Sequence, residues 1–269
     1  MPRPKLTDMR AAIIDMDGVL WAGDLPLPGL REFFDTLRAR GLPFVLATNN
    51  SSRTAAQYVE KLAGMGVTVS VDEILTSGLA TALYLRGQAN SQGGRVFVIG
   101  EDGARNCLVE QGFTLTDLYD VSADYVVCGM DRALSWDKLA TATLNIRAGA
   151  RLVGTNPDTS LPTERGITHG NGAILAALQA ATGLAPLIIG KPEPIMYQQA
   201  LLALGADPAH TVAIGDRLDT DILGAVRTGI RSLLVLTGIS TRADLVDLDY
   251  QPDWVMPGLP AITQALNGM

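Results

Sequence analysis

Short apolar runs alternate along the chain with amphipathic stretches of helical spacing. Residues 11–14 form an apolar run that breaks at once on Asp15. Residues 28–40 carry Leu30, Phe33, Phe34 and Leu37 at the spacing of one helical face. Residues 43–47 read as a second strand ending at Thr48, followed by helical stretches over 54–64 and 78–86. Toward the C-terminus, 211–214 reads as a strand ending at Gly215 and Asp216. A helix over 219–228 and a strand over 231–236 follow it. Strands that alternate with helices in this way predict an α/β fold with a mostly parallel, Rossmann-like sheet.

The middle of the chain repeats the theme. Residues 95–99, 125–128 and 151–153 read as strands, and 103–111, 136–148 and 171–182 as helices. Polar, glycine-bearing breaks at 90–94 and 182–186 bracket this segment. The expected organisation is a discontinuous core, 1–88 with 185–269, and an inserted α/β domain over 89–184. At 269 residues the chain has room for both. Residues 244–252 read as a solvated connection before a last strand and helix.

Composition narrows the function classes. With 47% hydrophobic and 18% charged residues, the chain is globular in type. Its net charge of −7 argues against a non-specific nucleic-acid binder, which wants a basic surface. It does not argue against an anionic small molecule, because a local cation and backbone N–H groups govern the field inside a cleft. No apolar run is long enough to span a bilayer, and the N-terminal residues lack a secretory pattern, so the expected location is the cytoplasm. Cys107 and Cys128, the two cysteines, are expected to be reduced and packed as small hydrophobes.

Four polar motifs follow predicted strands. Asp15-Met16-Asp17-Gly18-Val19 places two carboxylates at a strand end where Gly18 lets the chain turn. One could attack an electrophile and the other move a proton. Thr48-Asn49-Asn50-Ser51-Ser52 lies between a strand and a helix, where hydroxyl and backbone N–H groups make an anion cradle or simply cap the helix. Gly190-Lys191-Pro192 offers one cation in a stiff turn. Gly215-Asp216-Arg217-Leu218-Asp219-Thr220-Asp221 supplies further carboxylates. If Asp15, Asp17 and Asp216 converge, their repulsion calls for a cation, and hard oxygen ligands beside a phosphate favour Mg²⁺.

In their order and spacing these motifs resemble the haloacid dehalogenase-like hydrolases. The extended stretch Asp15-Met16-Asp17-Gly18-Val19-Leu20-Trp21 is similar to the NagD-like, or 4-nitrophenylphosphatase-like, branch with a large α/β cap. So are Gly129-Met130-Asp131-Arg132 and Thr155-Asn156-Pro157-Asp158 inside the cap. One departure is His169-Gly170-Asn171-Gly172, where the branch often starts the helix with Pro-Gly. The resemblance implies a Mg²⁺-dependent phosphatase acting on a small phosphorylated metabolite through an aspartyl phosphate. It implies Asp15 as nucleophile, Asp17 as acid and base, and Lys191 as charge balance. Gly18, Thr48 and Asn49 would bind phosphate oxygens. Asp15, the Asp17 carbonyl, Asp216 and Asp221 would surround the metal, Asp221 acting through a water or through Lys191. Asp131 and Arg132 are candidates to touch the leaving group, with a plain surface turn as the competing reading. If copies of the chain associate, the cap is the expected surface.

Three rival activities use the same fold. A carbon–halogen hydrolase would need neither Asp17 nor a metal. A phosphomutase or other phosphotransferase would shield the aspartyl phosphate from water. A non-catalytic sensor would lack one of the catalytic groups, and none is missing here.

Overall fold

A computed structural model describes residues 5–89, 93–163, 165–246 and 248–268. The chain falls into two compact units. One takes the residues up to Thr48, 56–75 and those from Lys191 on; the other takes 49–55 and 76–190.

The first unit is built on a six-stranded sheet. Its order is Trp254–Met256, Arg231–Val235, Thr211–Gly215, Ala11–Ile14, Phe44–Thr48 and Ile74–Thr76. The first five strands pair in parallel. The three central strands are buried along their whole length, as parallel strands covered on both faces must be. Ile14 pairs with Ile214 on one side and Leu46 on the other. The residues that follow all three strands therefore leave the sheet at one edge. The chain order reverses across Ala11–Ile14, which is the switch point where open α/β sheets bind ligands.

Helix Leu30–Ala39 buries Leu30, Phe33, Phe34 and Leu37, the face that the spacing predicts. Helix Pro194–Leu204 escapes the sequence reading. It opens on a proline and ends at Gly205 in the left-handed conformation, but its apolar residues surround it. Met196, Tyr197 and Ala200 are buried, whereas Leu202 is exposed, so no single stripe marks it.

The second unit holds a five-stranded parallel sheet, ordered Leu187–Ile188, Arg151–Gly154, Tyr125–Cys128, Arg95–Ile99 and Thr114–Leu115. Its core joins Phe97, Ile99, Val126 and Leu152 to Ile146 of helix Trp136–Arg147 and Leu175 of helix Asn171–Thr182. Helix Ser77–Gln88 lies close against helix Asp102–Glu110. A Cβ on Gly78 would stand 3.1 Å from the Ala104 backbone. This helix and the segment 49–55 go with the second unit and lie outside the 89–184 stretch that the sequence marks off. Of the break at 90–94, residues 90–92 lie outside the described residues. A hairpin, Ser160–Thr163 with Gly166–His169, also has no sequence signature, because its second strand is exposed throughout and shows no apolar alternation. Both cysteines are buried and free.

Candidate active site

Strand Ala11–Ile14 delivers Asp15 to the ligand-binding edge of the first unit. The turn after it depends on Gly18, whose φ of +80° is a conformation that L side chains avoid. Strand Thr211–Gly215 delivers Asp216, and a single wide turn over Leu218–Ile222 brings Asp221 back to the same place. That turn stands where the sequence reading starts a regular helix; the helix itself begins at Leu223. One carboxylate oxygen from each of Asp15, Asp216 and Asp221 lies within 4.8 Å of the others.

Lys191 lies among them, only 3% exposed. Its Nζ donates to Asp15 Oδ1 at 2.5 Å, to Asp221 Oδ1 at 2.7 Å and to the Ala47 carbonyl at 3.1 Å. The other oxygen of Asp221 accepts from the Arg217 backbone N–H at 3.1 Å. Asp216 Oδ2 accepts from the Ile239 N–H at 2.7 Å.

The electrostatics follow from the count of charges. Burial works against the Lys191 ammonium, but the carboxylates of Asp15 and Asp221 outweigh it and raise the lysine well above its usual range. One ammonium cannot offset three closely spaced carboxylates, two of them buried. Burial, with Asp221 and Asp216 adding to it against the pull of Lys191, pushes the Asp15 carboxyl well above the usual range. Burial, then Asp221, pushes Asp216 up to about 6. The cluster retains a surplus of negative charge in hard oxygen donors at close spacing. That donor set fits a hard divalent cation held by few carboxylates.

Asp17 is exposed, and its carboxylate stands apart from this trio. It accepts a hydrogen bond from the Trp21 indole Nε1 at 2.8 Å. The indole is fully buried, stacks on Tyr58 and carries the Lys61 ammonium over its ring. Thr48 is buried at the end of its strand. The sequence reading included Trp21 in the motif but gave it no role, and it missed the loop after strand Arg231–Val235. There Thr237 Oγ1 donates to the Gly18 carbonyl at 2.6 Å, and the Ser240 N–H donates to the Asp216 carbonyl at 3.0 Å. It missed Tyr197 as well, whose hydroxyl donates to the Asp221 carbonyl at 2.8 Å. The signal for the loop was present. Thr237 and Gly238 follow a strand end, as the other motifs do.

In the second unit, Asn49 donates from Nδ2 to Asp158 Oδ2 at 3.2 Å. Asp131 is buried, accepting from the Ala133 N–H at 2.9 Å and from Lys138 Nζ at 2.7 Å. Arg132 is exposed and forks onto Glu101 at 2.7 and 2.9 Å. Asp131 thus serves a turn and an internal ion pair, whereas Arg132 keeps its head at the surface.

Comparison with known proteins matches residues 12–114 to a haloacid dehalogenase-like hydrolase family and 188–262 to a HAD-hydrolase-like family. The chain is 40% identical over 245 residues to the acid sugar phosphatase of Staphylococcus aureus, covering 91% of this chain and 93% of that one. Among solved structures, the p-nitrophenyl phosphatase of Archaeoglobus fulgidus superposes with a TM-score of 0.90 at 32% identity, over 96% of this chain and 100% of that one. The 4-nitrophenylphosphatase of Thermotoga maritima does so with a TM-score of 0.90 at 35% identity, over 97% and 98%. Among the described residues, no helix is long and apolar enough to cross a membrane.

Proposed function

The chain belongs to the haloacid dehalogenase-like hydrolases, and we propose that within this family it is a Mg²⁺-dependent phosphatase of small phosphate monoesters. The observation that carries this reading is the group of Asp15 and Asp216, which end adjacent parallel strands, with Asp221 and the buried Lys191 drawn in beside them.

The roles follow from position. An Asp15 oxygen attacks phosphorus as the P–O bond to the ester oxygen breaks, giving an aspartyl phosphate. Asp17, exposed and held by Trp21, gives its proton to the departing alkoxide. It then takes a proton from the water that attacks phosphorus, breaks the acyl-phosphate bond and restores the Asp15 carboxylate. Lys191 offsets charge on Asp15 and on the phosphoryl oxygens. Asp221, with one oxygen on Lys191 and the other on a backbone N–H, keeps that ammonium in place. Thr48 and Asn49 supply donors to the phosphate, whereas the Gly18 N–H is given to the Trp21 carbonyl at 2.8 Å. Asp15, Asp216 and the Asp17 carbonyl would hold Mg²⁺, which, when bound, screens the negative charge that nucleophile and substrate bring together.

The inserted unit is the source of leaving-group selectivity in this reading, since the phosphate alone is the same in every substrate. The relatives named for sugar phosphates and nitrophenyl phosphate set the first substrates to try. The test is phosphate release from a panel of phosphorylated metabolites with Mg²⁺, beside halide release from a haloacid. Asp15→Asn keeps the shape and removes the nucleophile, so steady-state release should fall at least about 10³-fold. A variant within about tenfold of wild type, far short of such a loss, would remove Asp15 from the role.

A further inference from the structure

Three polar signatures of the second unit find no role in the chemistry above: Gly129 with its neighbours, Thr155-Asn156-Pro157-Asp158, and Asn171 at the start of its helix. Within that unit the first two converge on residues 49–53, the chain that continues directly from Thr48, and Asn171 supports the second. Asn156 Nδ2 donates to the Asn49 carbonyl at 2.8 Å, and Ser77 Oγ donates to the same carbonyl at 2.6 Å. The Asn49 side chain is tied to Asp158, whose own N–H donates to Asn156 Oδ1 at 3.1 Å. Asn171 Nδ2 braces the arrangement by donating to the Asn156 carbonyl at 2.8 Å and the Cys128 carbonyl at 3.0 Å. Thr155 Oγ1 reaches Ser51 Oγ at 3.1 Å. Gly129 has no room for a side chain, because its Cβ would stand 2.6 Å from that same Ser51 Oγ. Asn156, Asn171, Thr155, Ser51 and Ser77 are all buried.

We infer that Asn156, braced by Asn171, is a positioning residue for phosphoryl transfer: with Ser77 and Asp158 it fixes Asn49 through both its carbonyl and its side chain. The inference rests on the phosphatase reading, in which Thr48 and Asn49 cradle the phosphate. A carbonyl held by two donors and a side chain tied to Asp158 fix two substituents of the tetrahedral Asn49 Cα, and with them the position of its backbone nitrogen. Donors fixed in advance stabilise developing charge without reorganising during the reaction. One amide side chain, two hydroxyls and a carboxylate on one short segment exceed what a plain helix start needs, since one cap satisfies it.

The test compares wild type with Asn156→Ala by calorimetric titration of inorganic phosphate in saturating Mg²⁺. Turnover of 4-nitrophenyl phosphate, Mg²⁺ half-activation and thermal melting are measured alongside. Weaker phosphate binding by about tenfold or more, a fall in kcat of similar size and an unchanged Mg²⁺ half-activation are the expected result, the scale of one lost positioned donor. Phosphate affinity within about twofold of wild type in a folded variant would overturn the inference, whatever the loss in melting temperature, because a merely structural role moves stability alone. Ser77→Ala removes the other donor to the same carbonyl and decides by the same criteria if Asn156→Ala does not fold. Failure of the phosphatase reading would show separately, as a wild type that turns over no ester, while the binding comparison is read on phosphate alone.

Discussion

Asp216→Asn should make the metal-free protein more stable while destroying its activity. The wild-type carboxyl is 2% exposed, and burial with the nearby Asp221 charge raises it from 3.8 to about 6. A carboxyl whose folded value lies above its unfolded value binds more protons folded than unfolded. Stability therefore falls as pH rises from about 4 to about 6, and the full penalty is present above that window. At ~1.4 kcal/mol per unit, the penalty is about 3 kcal/mol at pH 7.5 and about 1.5 kcal/mol at pH 5. Asparagine carries no charge and still offers an oxygen to the Ile239 N–H that Asp216 now accepts at 2.7 Å. In EDTA at pH 7.5 the variant should melt roughly 6–12 °C above wild type, a gain that shrinks to about half by pH 5. Added Mg²⁺ should raise the melting temperature of wild type and leave the variant nearly unmoved. A variant that melts at or below wild type in EDTA at pH 7.5, or whose gain does not depend on pH, would refute the account of the carboxylate cluster.

Chelation after dialysis should abolish phosphate release and Mg²⁺ should restore it, with Asp216→Ala shifting half-activation to higher metal; full activity in excess chelator would refute the metal assignment. Trp21→Phe keeps an aromatic ring beside Tyr58 and removes the Nε1 donor to Asp17, so kcat should fall about tenfold, the scale of one hydrogen bond to a charged group. A kcat within about twofold, with Mg²⁺ half-activation unchanged, would show that Asp17 needs no such support. Asp131→Ala strands Lys138 and should lower the melting temperature, whereas Arg132→Ala, which breaks only an exposed pair, should barely move it. Arg132→Ala alone then tests contact with the leaving group: a reordered kcat/KM across the substrate panel supports it, and an unchanged order places selectivity elsewhere.

The core of the site was legible because a parallel sheet is read the same way at each strand. An apolar run that stops on a polar residue marks a carboxyl end, and that rule found Asp15, Thr48 and Asp216 on one sheet; it also found Lys191, although the strand before it, Leu187–Ile188, belongs to the other sheet. It did not separate Asp17 from the other acids, although the one residue between Asp15 and Asp17, Met16, is enough to carry Asp17 out to solvent and onto Trp21. Nor did it assign Asp221. Its distance along the chain allowed either a metal-side or a lysine-side role, and only the wide turn over Leu218–Ile222 sets its oxygens on Lys191 and the Arg217 N–H. The clamp on Asn49 was illegible for a further reason. Its bonds from Asn156 and Ser77 end on a backbone carbonyl, which every residue possesses, so nothing in the identity of residue 49 discloses that Asn156 lies against it.

The glycines around the carboxylates show where the site keeps its geometry. A Cβ on Gly238 would stand 1.8 Å from Asp216 Oδ2, one on Gly18 2.5 Å from the same oxygen, and one on Gly215 2.2 Å from the Asp221 Cβ. At all three places the main chain itself forms the wall against which an acid is packed. A wall of side chains could swing aside to relieve the repulsion among the three carboxylates, but backbone joined to a central sheet cannot do so without disturbing the strand. The Ile239 and Arg217 N–H groups add fixed dipoles aimed at the same oxygens. Close approach of the backbone therefore holds the charges together against their own repulsion. The free energy stored in that arrangement is available to whichever cation or phosphoryl group relieves it.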